Sequence, residues 1–225
     1  MVEHNIGIRK RMKDKINKLV NEKKIIAILR KVPMDAFADT VKALYEGGIR
    51  MMEVTFDQSG EMFEETTCDQ IRYIKDNFPQ ISPGAGTVMT VEQVKKAIDA
   101  GAQYIISPNV NENVIKETLK LGAVSMPGAF TPSEAANACA WGADYVKIFP
   151  VGNMGAGYVK DVSAPLSNVR FLAVGGINDK NMKSFLDAGC VGVGIGSCLI
   201  NKEMIKERRF DELKELAKKY VEAAK

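Results

Sequence analysis

The sequence predicts a closed (β/α)8 barrel with one extra helix at its N-terminal end. Three observations lead there. Eight short, nearly continuous apolar runs recur along the 225 residues, segments of helical period lie between them, and five of those segments end on a glycine. Strands apolar on both faces belong to a parallel sheet covered on its outside, and strand–helix units spaced by about 20 to 25 residues suit a closed barrel. A doubly wound open sheet is the alternative, but it needs a reversal of strand order and rarely has eight evenly spaced short units.

In chain order, residues 6–22 read as an amphipathic helix, because lysines interleave with Ile16, Leu19 and Val20 at helical spacing. That helix is expected to close the N-terminal end of the barrel. Strands follow at 25–29 (IIAIL), 51–56 (MMEVTF), 81–86 (ISPGAG), 103–107 (QYIIS), 123–126 (AVSM), 144–149 (DYVKIF), 169–174 (VRFLAV) and 191–196 (VGVGIG). Between them lie helical patterns such as DAFADTVKALYEGG and TVEQVKKAIDAG. Gly48, Gly101, Gly122, Gly142 and Gly189 stand where such helices end, a place for the left-handed backbone that glycine adopts cheaply. No linker or low-complexity stretch divides the chain, so residues 1–225 are expected to form one barrel domain, with residues 1–23 as its capping helix.

Composition removes several function classes. The net charge of +3 is spread along the chain and is too small for a nucleic-acid footprint. Cys68, Cys139, Cys190 and Cys198 form no CxxC pair and the sole histidine is His4, so neither a metal site nor a Ser-His or Cys-His catalytic pair is expected. Cys139 and Cys190 read as packing thiols of a reducing compartment. No apolar run reaches the roughly 18 residues of a membrane span and no signal-peptide core follows the start, so a cytoplasmic protein without membrane contact is expected.

Strand residues alternate between barrel interior and helix layer, and chemistry in such barrels sits at the C-terminal ends of the strands. Polar residues that break the apolar pattern there are the site candidates. Glu53 interrupts MMEVTF on the face of Met51, Thr55 and Asp57; a desolvated carboxylate has a raised pKa and suits proton transfer near neutrality. A structural ion pair is its other reading. Arg30, closing IIAILR, is placed to present a guanidinium to a carboxylate or phosphate, or is simply a surface arginine. Thr87 ends GAGTV, as a hydroxyl donor beside backbone that Gly84 and Gly86 leave approachable, or as a cap or turn residue. On the sixth strand Tyr145, Lys147 and Phe149 share one face, and Pro150 stops the strand. Lys147 is thus expected inside, just below the mouth, where an apolar setting lowers its pKa and leaves a neutral amine able to attack a ketone. Its other reading is a structural partner of Glu53. Gly175 and Gly176 in AVGGIN, with Gly196 and Ser197 in GIGSCL, follow the last two strands, where this architecture often builds a phosphate site from bare backbone N–H groups.

With those residues in place, the chain resembles the 2-keto-3-deoxy-6-phosphogluconate and 4-hydroxy-2-oxoglutarate aldolases. The likeness runs from about residue 24 to residue 221 through IAILR, GGIRMMEVTF, GAGTV, GAQYIISPN, MPGAFTPSE, VKIFP, AVGGIN and GIGS, in order. The resemblance implies a metal- and cofactor-independent class I aldolase, usually a homotrimer. It puts the Schiff-base lysine on Lys147, the proton-transferring glutamate on Glu53, a threonine contacting the pyruvate moiety on Thr87, and Pro108 and Phe149 at the substrate. It implies cleavage of a phosphorylated 2-keto-3-deoxy sugar acid to pyruvate and glyceraldehyde 3-phosphate, with 4-hydroxy-2-oxoglutarate as a second substrate. Two departures stand out. Asp57 occupies the place where many gluconate-type members carry an arginine, and Ala173 and Val174 replace the PT of their PTGG. IAILR and AVGG resemble instead the branch that cleaves the galactonate epimer, and Arg30 is expected to supply the missing cation. A phosphosugar epimerase or synthase on the same barrel, and a non-catalytic phosphometabolite-binding protein, are the alternative functions.

Overall fold

Each of the eight apolar runs becomes parallel strand, and a ninth short strand follows the fifth. The computed structural model describes the backbone of residues 2–225 and side chains from residue 9 onward. Its strands are β1 (Ile25–Leu29), β2 (Met51–Thr55), β3 (Ser82–Gly86), β4 (Tyr104–Ile106), β5 (Val124–Met126), β6 (Gly128–Ala129), β7 (Val146–Ile148), β8 (Phe171–Val174) and β9 (Gly192–Ile195). Their spatial order is β5-β4-β3-β2-β1-β9-β8-β7-β6, so the two ends of the sheet are neighbours in the chain with only Pro127 between them. Proline has no N–H to give the ladder, so the ladder breaks at Pro127, between the fifth run and the short β6 beyond it. The sixth run still reaches both pieces: Tyr145 N–H donates to the Ser125 carbonyl at 3.2 Å, Lys147 N–H to that of Pro127 at 2.9 Å and Phe149 N–H to that of Ala129 at 3.0 Å. The nine strands therefore make an eight-unit, nearly closed (β/α)8 barrel.

Helices α1 (Val2–Lys23), α2 (Met34–Glu46), α3 (Glu64–Asn77), α4 (Val91–Ala100), α5 (Glu112–Lys120), α6 (Pro132–Ala140), α7 (Gly155–Ser163), α8 (Met182–Asp187), α9 (Lys202–Lys206) and α10 (Phe210–Ala223) complete the described residues. All five helix-ending glycines take positive φ, as expected of them. Strand residues facing outward, such as Ala27, Met52, Val54, Val146 and Ile148, pack with the inward faces of α2 to α10 into one apolar layer.

The barrel interior is a second, smaller core. Ile16 and Val20 of α1 pack there against Ile26, Met51, Tyr104, Tyr145 and Leu172, so α1 does close the N-terminal end. Polar contacts orient it. Arg9 and Lys13 approach the Asp144 carboxylate at 3.1 and 2.8 Å, and the Tyr145 hydroxyl donates to Asn17 Oδ1 at 2.6 Å.

Candidate active site

Alternation places the two unusual charges. On β7, Val146 and Ile148 belong to the outer layer while Tyr145 belongs to the inner core, so Lys147 points inward. On β2, Met52 and Val54 are outer and Met51 is inner, so Glu53 points inward as well. Their residual exposures, 6 % for Lys147 and 2 % for Glu53, are low enough that solvation decides their chemistry. Burial lowers the Lys147 pKa; the Glu53 charge opposes that shift and the Arg30 charge adds to it. Burial raises the Glu53 pKa, with the Lys147 and Arg30 charges acting in the opposite direction. The Lys147 ammonium nitrogen lies 4.5 Å from the centre of the Phe149 ring, which covers it from the mouth side.

The glycines of β3 have a different use from the expected one. A Cβ at Gly86 would overlap the Glu53 carboxylate, and one at Gly84 would overlap the Tyr104 ring. Those positions are bare because interior side chains from β2 and β4 fill the space, not because ligand approaches backbone there.

A cavity of ≈ 270 Å³ opens at the C-terminal ends of the strands, and Arg30, Glu53, Lys147, Phe149, Gly175, Gly176, Gly196 and Ser197 all line it. Eight of the ten candidates therefore converge. Gly175 and Gly176 take φ of 89° and 77°, and a Cβ on Gly175 would come within 3.0 Å of Phe149 and Pro150. The Asn181 amide braces this turn by donating to the Gly176 carbonyl at 2.9 Å. Thr87 and Pro108 follow β3 and β4 but are not part of the lining. Thr87 holds φ of 54°, and its carbonyl accepts from the Gln58 amide at 3.2 Å. Nor does it cap a helix, because Thr90 caps α4.

Asp57 departs from its expected position. β2 ends at Thr55, and the Asp57 carboxylate turns into its own loop, accepting from the backbone N–H groups of Ser59, Glu61 and Met62 at 3.0–3.1 Å and pairing with Lys31 at 3.3 Å. The Ser59 hydroxyl, which also donates to it, leads the contacts that hold Asp57 well below the usual carboxylate range. Lys202, Cys198 and Ile200 line the cavity and escaped the sequence reading. A signal for Lys202 existed: Asn201 accepts from the N–H groups of Glu203 and Met204, an N-cap readable before KEMIK.

Cys190 is buried with its thiol pushed up to about 12, which suits a packing role. Cys139 is only partly buried and its sulfur accepts from the Asn168 amide. Among the described residues no group of three or more His, Cys, Asp or Glu side chains could hold a metal ion, and no helix is long and apolar enough to cross a membrane. The His4 side chain lies outside the described residues.

Comparison with known proteins adds a family to this geometry. Residues 16–216 match the family model described as KDPG and KHG aldolase. A 2-dehydro-3-deoxy-6-phosphogalactonate aldolase of Escherichia coli is 34 % identical over 201 residues, covering 88 % of this chain and 95 % of its own. The KHG/KDPG aldolase of the same organism is also 34 % identical, over 188 residues and 82 % of this chain against 84 % of its own. Among solved structures, one described as native KDPGal superposes with a TM-score of 0.78 at 32 % identity over 89 % of this chain and 93 % of its own. The KDPG aldolase of Legionella pneumophila, holding pyruvate as a covalent carbinolamine, superposes with a TM-score of 0.81 at 26 % identity over 90 % of this chain and 96 % of its own.

Proposed function

The chain belongs to the KDPG and KHG aldolase family and is a pyruvate-dependent aldolase, a carbon–carbon lyase; from that premise we propose that Lys147 is its Schiff-base nucleophile and a phosphorylated 2-keto-3-deoxy sugar acid its substrate. The observation that carries this reading is an inward lysine, almost wholly buried under Phe149 and facing a buried carboxylate.

Neutral Lys147 attacks the C2 ketone, and the carbonyl oxygen leaves as water to give a protonated imine. As the C3–C4 bond breaks, its electrons flow into that imine, and Glu53, directly or through water, takes the proton of the C4 hydroxyl. Glyceraldehyde 3-phosphate leaves and a pyruvate enamine remains. Glu53 returns the proton to C3, and water then hydrolyses the imine to release pyruvate. The glycine turns at Gly175, Gly176 and Gly196, with Ser197, hold the phosphate and orient the reacting end. Thr87 and Pro108, which follow β3 and β4, complete the pyruvate end when substrate is bound.

Arg30 takes the substrate carboxylate. It lines the cavity, makes no hydrogen bond or ion pair among the described residues, and its charge reaches both Lys147 and Glu53. With Asp57 committed to its loop, Arg30 stands in for the arginine that gluconate-type members carry. Arg30→Ala should raise KM for the keto acid; an unchanged KM sinks that role. Val174, in the cavity where those members have threonine, removes a hydroxyl beside the substrate chain. A coupled assay on the two C4 epimers decides which is preferred, and one with 4-hydroxy-2-oxoglutarate tests the second substrate. The same reading makes the protein a cytoplasmic homotrimer, which light scattering and cell fractionation test.

The deciding experiment is borohydride reduction in the presence of pyruvate, followed by mass spectrometry. A covalent adduct on Lys147 is expected. No adduct on active protein overturns the Schiff-base mechanism.

A further inference from the structure

Beside the active cavity lies a second, larger cleft of ≈ 340 Å³, between the β1–α2 connection and α9. These segments follow β1 and β9, which pair with each other, so the cleft opens on the same face as Lys147. The two spaces meet along Arg30, Ile200 and Lys202, which line both. The inner cavity, at ≈ 270 Å³, falls just below the roughly 300–1,000 Å³ usual for small-molecule sites, and joining the cleft to it more than doubles the space.

Charge in the cleft is one-sided. Its apolar floor includes Val32, Pro33 and Ile205, and five cations stand around it against one carboxylate, Asp35. Two of the five are already paired: Lys31 with Asp57 and Glu61 at 3.3 and 2.5 Å, and Arg208 with Asp35 and Asp39 at 2.8 and 3.6 Å. Arg30, Lys202 and Lys206 have no carboxylate within 4.0 Å among the described residues. Three unpaired cations along one concave wall repel one another and concentrate anions.

We propose that this cleft extends the substrate site and takes the phosphate of an acceptor aldehyde longer than three carbons, used in the carbon–carbon bond-forming direction. The proposal rests on the Schiff-base reading above. For a three-carbon acceptor the phosphate reaches the glycine turns. Each further carbon carries it past Ser197 to Lys202, which borders both spaces, and then to Lys206, which lines only the cleft. The chemistry balances without another reactant: C3 of the Lys147-bound pyruvate enamine bonds to the aldehyde carbon, the aldehyde oxygen takes a proton from Glu53, and water hydrolyses the resulting imine.

The test compares glyceraldehyde 3-phosphate, D-erythrose 4-phosphate and unphosphorylated D-erythrose as acceptors for pyruvate, in the wild type and in Lys206→Glu. The wild type should use erythrose 4-phosphate better than erythrose. Lys206→Glu should lower kcat/KM for erythrose 4-phosphate by about tenfold or more through KM, the size of one lost charge-assisted contact. Glyceraldehyde 3-phosphate should stay within about twofold, a difference too small for a lost contact. The proposal is overturned if the variant weakens both phosphorylated acceptors equally, or if the wild type turns over glyceraldehyde 3-phosphate but gains nothing from the phosphate of erythrose 4-phosphate. Borohydride trapping of pyruvate on the wild type is run alongside; its failure strikes the Schiff-base reading, whereas success with no acceptor-length effect strikes the cleft alone.

Discussion

Lys147 keeps its proton only as far as its neighbours permit. Burial favours the neutral amine, Arg30 adds to that preference, and the Glu53 charge works against it. Signs follow for a pH series of pyruvate trapping by borohydride. The rate should rise with pH and level off below the ordinary lysine value of 10.5. Glu53→Gln removes the charge that favours the ammonium and should move the midpoint lower, whereas Arg30→Ala removes a like charge and should move it higher. A midpoint that stays put in both variants contradicts the electrostatic account. Tyr104, beside Glu53, poses a packing question. Its hydroxyl is buried without a protein partner while its ring fills the space above Gly84. Tyr104→Phe should therefore change stability by less than about 1 kcal/mol, while Tyr104→Ala should cost about 3–5 kcal/mol by opening a cavity, both read from denaturant midpoints. At this scale Lys147 and Glu53 were legible, because a charge in an apolar strand is a local anomaly and alternation gives its direction. The partners of Gly84 and Gly86 were not, since the filling side chains come from other strands. Lys202 escaped because the Asn201 cap before it marks only the start of a helix, and a lysine in a polar segment carries no anomaly.

The elements obey the same division between local and distant causes. Strand positions follow from apolar runs and helix ends from glycine, both local signals. The break at Pro127 also has a local cause, yet its result, a seam through which one run pairs on both sides, belongs to the closed barrel. Alternation alone carries the β2 face on through Asp57, because it has no stop signal of its own. The strand ends at Thr55, and a carboxylate accepting three backbone N–H groups takes over the next turn. For α1, the periodicity that marked it as amphipathic also marked what it covers. Ile16 is wholly buried in the inner core, at the end of the barrel opposite the cavity. Ile16→Ala should cost about 2–5 kcal/mol of stability and leave the pyruvate-trapping rate unchanged. A trapping rate that fell with stability would mean that the two ends of the barrel are mechanically coupled.

For the whole molecule, the proposed roles of Lys147 and Glu53 set chemistry against stability. A lysine whose folded pKa lies below 10.5 takes up a proton on unfolding, so its contribution disfavours the fold at neutral pH and improves as pH climbs from the folded pKa toward 10.5. A glutamate whose folded pKa lies above 4.5 releases a proton on unfolding, so its contribution worsens as pH climbs from 4.5 through the folded pKa. Both slopes exist because the barrel interior solvates neither charge, and the partial compensation between the two depends on both being present. Removing one alone leaves the other without its opposite charge, so the informative variant is the double one, Glu53→Gln with Lys147→Met. Buried charge pairs replaced by residues of similar volume are often neutral or stabilising, by about 1–4 kcal/mol in favourable cases. The double variant should therefore be inactive and at least as stable as the wild type at pH 7, with a Tm that varies less between pH 5 and pH 10. Thermal unfolding of both proteins across that range decides the matter: a double variant markedly less stable at neutral pH would mean that the pair supports the fold, and that its burial is a structural device before it is a chemical one.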